Sequence, residues 1–205
     1  MTFFWSVLIL VLTPGATTAV VMRQALIGGR RAGITAAAGA AVANSLQAIA
    51  ARAGLAVVLA RVPAVAVAIR IGGSLYLLWL AWQSLRRAAR PGPSPAERLA
   101  GAADGRASAF RDGLTVNLLN PPITTFYLVV VPGFLEPGAD TWAFARLAAI
   151  HITMAFVCHV GWSLVVDRVR TATRSGAGLR ALDAAAGAAL IFLAVRTLLT
   201  GTATR

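Results

Sequence analysis

Leu12-Thr13-Pro14-Gly15-Ala16-Thr17-Thr18 lies in the middle of an apolar run, and Leu119-Asn120-Pro121-Pro122-Ile123-Thr124-Thr125 repeats its pattern inside another. A leucine, a polar residue, a proline, two intervening positions and a threonine pair recur in step. Proline inside a helix removes a backbone donor and clashes with the carbonyl one turn earlier. In hydrocarbon the freed carbonyls must be satisfied by protein, water or a ligand. Matching interruptions in two halves of a membrane chain point to a binding site at the bilayer midplane. The pattern implies a carrier with these breaks at its centre. It makes Thr13, Pro14, Gly15, Thr17, Thr18, Asn120, Pro121, Thr124 and Thr125 candidate substrate-binding residues.

Composition agrees. The 205 residues are 58% hydrophobic and 13% charged, with mean hydropathy +0.75, against roughly 25% charged in an ordinary soluble domain. About 20 apolar residues cross the hydrocarbon core, which leaves room for six helices and short loops. Candidate spans are 2–22, 34–60, 63–85, 113–133, 142–166 and 180–200. The net charge of +12 is carried entirely by 19 arginines lying between the apolar runs. No nucleic-acid motif accompanies them, so a nucleic-acid partner is not expected. Cys158 is the single cysteine, which excludes an internal disulfide and a cysteine metal framework. No cofactor or metal is expected. The apolar run from Phe3 resembles a signal peptide, but no basic residue precedes it and it continues to Met22.

Three connections hold 13 of the 19 arginines: Arg23 with Arg30 and Arg31, the stretch 86–111, and Arg168 to Arg180. The fourth connection, 132–141, carries only Glu136 and Asp140. The positive-inside rule places the basic loops in the cytoplasm and both termini outside. The two proline breaks then fall on oppositely directed helices, as in a 3+3 inverted repeat. The fold expected is an all-α integral membrane protein of six transmembrane helices, broken in the first and fourth. It forms a single transporter domain, 1–205, with halves of about 1–85 and 112–205. The Pro- and Ser-rich stretch between them reads as a flexible linker.

Span 2 is crowded with small residues from Ala36 to Ala43, which let membrane helices approach closely; it is expected to be central. Gly72 and Gly73 suggest a further close contact. Asn44, Ser45 and Gln47 are polar at membrane depth, and Asn44 joins the candidate substrate residues; interhelical hydrogen bonding is the plainer reading. His151 and His159 bracket the middle of span 5. Each fits either a hydrogen-bonded core histidine or a relay for a coupling proton. Arg52 falls inside the apolar stretch 34–60, and either snorkels outward or faces the pathway. Asp167 and Asp183 read as partners for neighbouring arginines.

Several of these motifs occur together in one known family. Leu12-Thr13-Pro14-Gly15, Gly29-Arg30-Arg31-Ala32-Gly33 with Gly39, Gly73-Ser74-Leu75-Tyr76-Leu77-Leu78-Trp79-Leu80, Phe110-Arg111-Asp112-Gly113 and Asn117-Leu118-Leu119-Asn120-Pro121 appear in order, followed by Val131-Pro132-Gly133-Phe134. This set resembles the lysine-exporter (LysE/RhtB) family. The resemblance implies a small inner-membrane exporter of amino acids and related metabolites, driven by the proton gradient. The chain departs from the family pattern at Ala16 and Thr17, where a second proline and a polar residue are common, and at Pro122, where lysine is common.

The expected partners are a small-molecule substrate and the lipid bilayer, with a homodimer left open. The alternatives are efflux of a metal ion or other solute, and a channel-like protein. A membrane-embedded enzyme is disfavoured, because the spans offer two histidines on one helix and no acid.

Overall fold

The computed structural model describes residues 2–55, 61–89, 95–136, 139–173 and 176–199, and the side chains of 95–104 are not among those described. Every regular element among the described residues is helical. Helix α1, Thr2–Leu12, is apolar throughout and stops two residues before Pro14. Its end is closed by Thr13, whose amide donates to the Ile9 carbonyl at 3.2 Å and whose hydroxyl donates to the same oxygen at 2.8 Å. Helix α2, Ala16–Arg52, starts from the extended Gly15. At 1.5 Å per residue its 37 residues cover about 55 Å, well beyond the roughly 30 Å of hydrocarbon.

Gly29 resolves that length. Its φ of 72° and ψ of −173° kink the helix into two limbs, 16–28 and 30–52. A side chain here would be strained by the positive φ. It would also sit 3.0 Å from an Asp167 carboxylate oxygen.

Helix α3, Pro63–Ala88, opens with proline at its first position, where no amide partner is lost. Helix α4, Pro95–Leu118, ends at the second break. The short α5, Pro121–Thr125, follows and continues as a π turn, Phe126–Val130, and a 3-10 turn, Pro132–Phe134. Across this break the segments Gly105–Leu118 and Pro121–Phe134 are bent by 58°. Helix α6, Thr141–Ala172, is capped by Asp140, which accepts the Ala143 amide at 2.7 Å. Helix α7 is Gly176–Leu199.

Four helices, α2, α3, α6 and α7, are long and apolar enough to cross a membrane, and the bent pair makes a fifth; Thr2–Leu12 is a shorter apolar helix. Large apolar side chains cover the outside, Trp142 at 74% exposure among them. Water-soluble monomers rarely show so large an apolar exterior; this is a multi-pass membrane protein.

Limb 30–52 is the crowded centre expected from its small residues. Ala36, Ala37, Ala40 and Ala43 are fully buried, and α2 packs most extensively on α4 and α6, while α3 pairs with α7. At the α2–α4 crossing the Phe110 carbonyl oxygen occupies the place of a Cβ on Gly39, and the Ala36 carbonyl oxygen that of a Cβ on Gly113. Gly73 meets the Leu119 backbone in the same way, while Gly72 only grazes the Leu119 side chain.

Three expectations change. Arg23 is not in a loop: the helix runs through it and the side chain is 1% exposed. Arg52 is not inside a span. It is the last residue of α2, before a turn at Gly54 with φ of 98°; residues 56–60 lie outside those described. The linker is helical from Pro95 onward, and 90–94 lie outside the described residues.

Candidate functional site

Breaking a helix leaves backbone groups that must find partners. At the second break Asn117 collects them. Its side-chain amide donates to the Ala40 carbonyl at 2.9 Å and to Asn44 Oδ1 at 2.7 Å. Its Oδ1 accepts the Thr17 hydroxyl at 2.8 Å. Its carbonyl accepts the Gln47 amide at 2.6 Å. Asn120 then donates to Thr17 Oγ1 at 3.2 Å. The start of α2 is thus tied directly to the end of α4, and the two breaks touch through buried polar side chains. At the first break the Cys158 thiol donates to the Val11 carbonyl at 3.2 Å, and Thr18 Oγ1 pairs with His159 Nε2 at 3.3 Å.

A cavity of about 580 Å³ lies between the breaks, within the range of small-molecule sites. Of the residues expected to bind substrate, Thr13, Pro14, Gly15, Thr17, Thr18, Asn44, Asn120, Pro121 and Thr125 line it, as do His151 and His159. Thr124 does not. It faces a separate cavity of about 150 Å³ beside Ile69 and Leu128. Arg52 is also elsewhere, exposed, donating to Thr141 Oγ1 at 3.0 Å and lying 5.8 Å from the Phe144 ring centre.

The two breaks are chemically unlike. The first helical bond of α2 runs from the Ala19 amide to the Gly15 carbonyl at 2.9 Å, and no side chain caps this end. The amides of Ala16, Thr17 and Thr18 therefore precede the helix ladder and bring its positive end to the cavity wall. At the second break Pro121 and Pro122 have no N–H. The next two amides, Ile123 and Thr124, both donate to the Asn120 carbonyl, at 3.1 and 3.2 Å. The first break offers backbone donors to the cavity, whereas the second has none at its first two positions and its Asn120 carbonyl is already engaged.

The histidines are held from the side. His151 Nδ1 pairs with the Tyr127 hydroxyl at 2.8 Å, with its ring 4.1 Å from that of Phe126. Among the described residues no group of three His, Cys, Asp or Glu side chains is placed to hold a metal ion.

A second polar assembly escaped the sequence. Arg23 donates to Asp112 Oδ2 at 3.3 Å, to Ser84 Oγ at 2.9 Å and to Gln83 Oε1 at 2.9 Å. Gln24 also donates to Asp112 Oδ2, and the Tyr76 hydroxyl donates to Oδ1 at 2.8 Å. Arg87 bonds Ser84 at 3.1 Å and Asp183 at 3.2 Å. Asp112 is buried, so the bundle does contain an acid at depth. Arg23 follows Thr18 and Asp112 precedes Asn117 by five residues each, or about 7.5 Å of helix. The assembly therefore lies beyond the breaks, toward the end where α3 finishes. The cavity extends the other way, past Ala66, Arg70, Val130 and Arg196. The one sequence clue was that Asp112 abuts an apolar run.

The chain matches the LysE type translocator family over residues 8–201. It is 34% identical to the uncharacterized membrane protein YahN of Escherichia coli (strain K12) over 63% of this chain and 57% of that protein. It is 26% identical to a leucine efflux protein of Klebsiella pneumoniae over 80% of this chain and 77% of that one. A leucine efflux protein of Enterobacter sp. is 28% identical over 66% and 65%. No solved structure matches the chain. With the family match reaching from one end of the described helices to the other, this chain belongs to the LysE type translocators, a family of membrane transporters and not of enzymes.

Proposed function

We propose that the protein exports amino acids or related small metabolites across the bacterial inner membrane, by alternating access around the two broken helices. The observation that carries this reading is the cavity between Gly15 and Asn120, which joins the backbone donors that open α2 to a wall of threonine and asparagine side chains and so suits a zwitterion. The amides at Ala16 to Thr18 suit a carboxylate, and side-chain oxygens on the lining, among them those of Asn120 and Thr125, suit an ammonium group. Two relatives named leucine efflux proteins support the same substrate class.

In this reading α1 with limb 16–28 is one broken span, limb 30–52 is the next, and the total is six, arranged as two inverted halves. Arg30, Arg31, Arg86 and Arg87 lie at the end closed by Arg23 and Asp112, and the positive-inside rule makes that end cytoplasmic. Both termini are then external and the cavity faces outward, sealed from the cytoplasm by the Arg23–Asp112 assembly. His151 and His159, on the cavity wall, supply ionisable groups for coupling to the proton gradient.

Counterflow in proteoliposomes tests this. Labelled leucine should enter in a saturable way, be accelerated by leucine on the opposite side, and respond to an imposed pH gradient. Asp112→Asn should lower the melting temperature and slow exchange, since removing one partner of a buried pair leaves Arg23 uncompensated at a cost of about 3–5 kcal/mol in stability. Flux that rises linearly with concentration, or no flux of any amino acid, would contradict the proposal.

A further inference from the structure

Arg70 sits in α3 between Ile69 and Ile71, seven residues or about 10 Å of helix from Pro63. It is half-buried and lines the cavity. Among the described residues no hydrogen bond or ion pair engages it. Arginine at membrane depth is costly and faces a bundle interior or a watery cavity. Arg52, by contrast, ends a helix and has Thr141 as a partner.

The charge balance of the cavity is one-sided. Arg70 and Arg196 line it, and no aspartate or glutamate does. Of the acids described elsewhere, Asp112 is engaged by Arg23, Gln24 and Tyr76, Asp183 by Arg87, Asp167 by Arg170, and Asp140 as the cap of α6, while Glu136 is exposed and off the cavity lining. A lysine or arginine side chain entering here meets the Arg70 guanidinium and no carboxylate on the lining. A carboxylate meets the planar fork of Arg70, which suits two-point binding. Leu10, Val11, Phe126 and Leu193 give the wall an apolar share beside its threonines, asparagines and histidines.

Resting on the exporter reading above, we infer that this cavity selects a carboxylate-bearing solute with an uncharged, aliphatic side chain, rejects cationic solutes, and uses Arg70 as the residue that sets this choice. The ammonium group of such a solute is left to side-chain oxygens on the lining, among them those of Asn120 and Thr125.

Two measurements on the purified full chain test it. In detergent, 4-methylpentanoate (leucine without its amine) should raise the melting temperature, whereas 3-methylbutylamine (leucine without its carboxylate) and lysine should not. In proteoliposomes, 4-methylpentanoate should compete with labelled leucine, and the two cations should need about tenfold more to do so, the factor that one charge-assisted hydrogen bond supplies. Arg70→Gln should abolish the melting shift and erase the discrimination against lysine, and Arg70→Lys should restore part of both. Equal melting shifts from 3-methylbutylamine and 4-methylpentanoate would overturn the inference, and so would an Arg70→Gln protein with an unchanged competition profile. Should Arg70→Gln not fold, the melting series on the native protein decides alone. A native protein that shows these melting shifts but no leucine counterflow fails the exporter reading and not the charge selection.

Discussion

Four polar partners meet at Asn117: Thr17, Asn44, the Ala40 carbonyl and the Gln47 amide. Truncating it strands several of them in a water-poor interior, where each unsatisfied group costs about 1–3 kcal/mol. Asn117→Ala should lower the melting temperature of the purified protein and abolish leucine counterflow. Arg52→Leu should change stability by no more than about 0.5 kcal/mol, as for other exposed positions, and leave transport intact. The reverse pattern would remove Asn117 from the site and return Arg52 to it. Thr17, Asn44 and Asn120 were legible in the sequence because a polar residue in an apolar run advertises itself. Asn117 stood in a quoted motif yet drew no notice, since its partners come from α2, over seventy positions away in the chain. Arg23 was misread for a related reason. A charge beside an apolar run reads as a loop unless its partner, here Asp112, is known.

The breaks matter at the scale of the element because they differ in what they expose. Replacing Pro14 allows α1 to continue into α2, and the amides of Ala16 to Thr18 would then join the ladder. Replacing Pro121 returns a donor to a wall that has none at its first two positions. Pro14→Ala and Pro121→Ala should each slow leucine exchange by about tenfold, the loss of one charge-assisted hydrogen bond, with membrane insertion unchanged. Exchange at the native rate with both prolines replaced would make the kinks incidental. Helix positions were readable from apolar run length. The kink at Gly29 was not, because Gly28-Gly29 followed by two arginines reads as a connection, while the helix resumes at once and joins both limbs. The helix from Pro95 was hidden by the proline cluster before it.

For the whole molecule, the decisive feature is a cavity with the two breaks on its walls, extending away from the Arg23–Asp112 assembly, which in the proposed reading seals its cytoplasmic end. Composition and arginine placement foretold a membrane protein with a polar centre. They did not foretell which end is sealed, because the seal joins helices distant in the chain. The central claim is that solute occupies this cavity from the outer side. Thr125 is exposed within it, and Cys158→Ser keeps a donor for the Val11 carbonyl while removing the native thiol. The measurement is labelling of Thr125→Cys, in that background, by a membrane-impermeant methanethiosulfonate added outside the cell. The account predicts that labelling proceeds, that it stops leucine efflux, and that saturating leucine protects the thiol. Complete labelling with efflux unchanged, or access only from the cytoplasmic side, would contradict it.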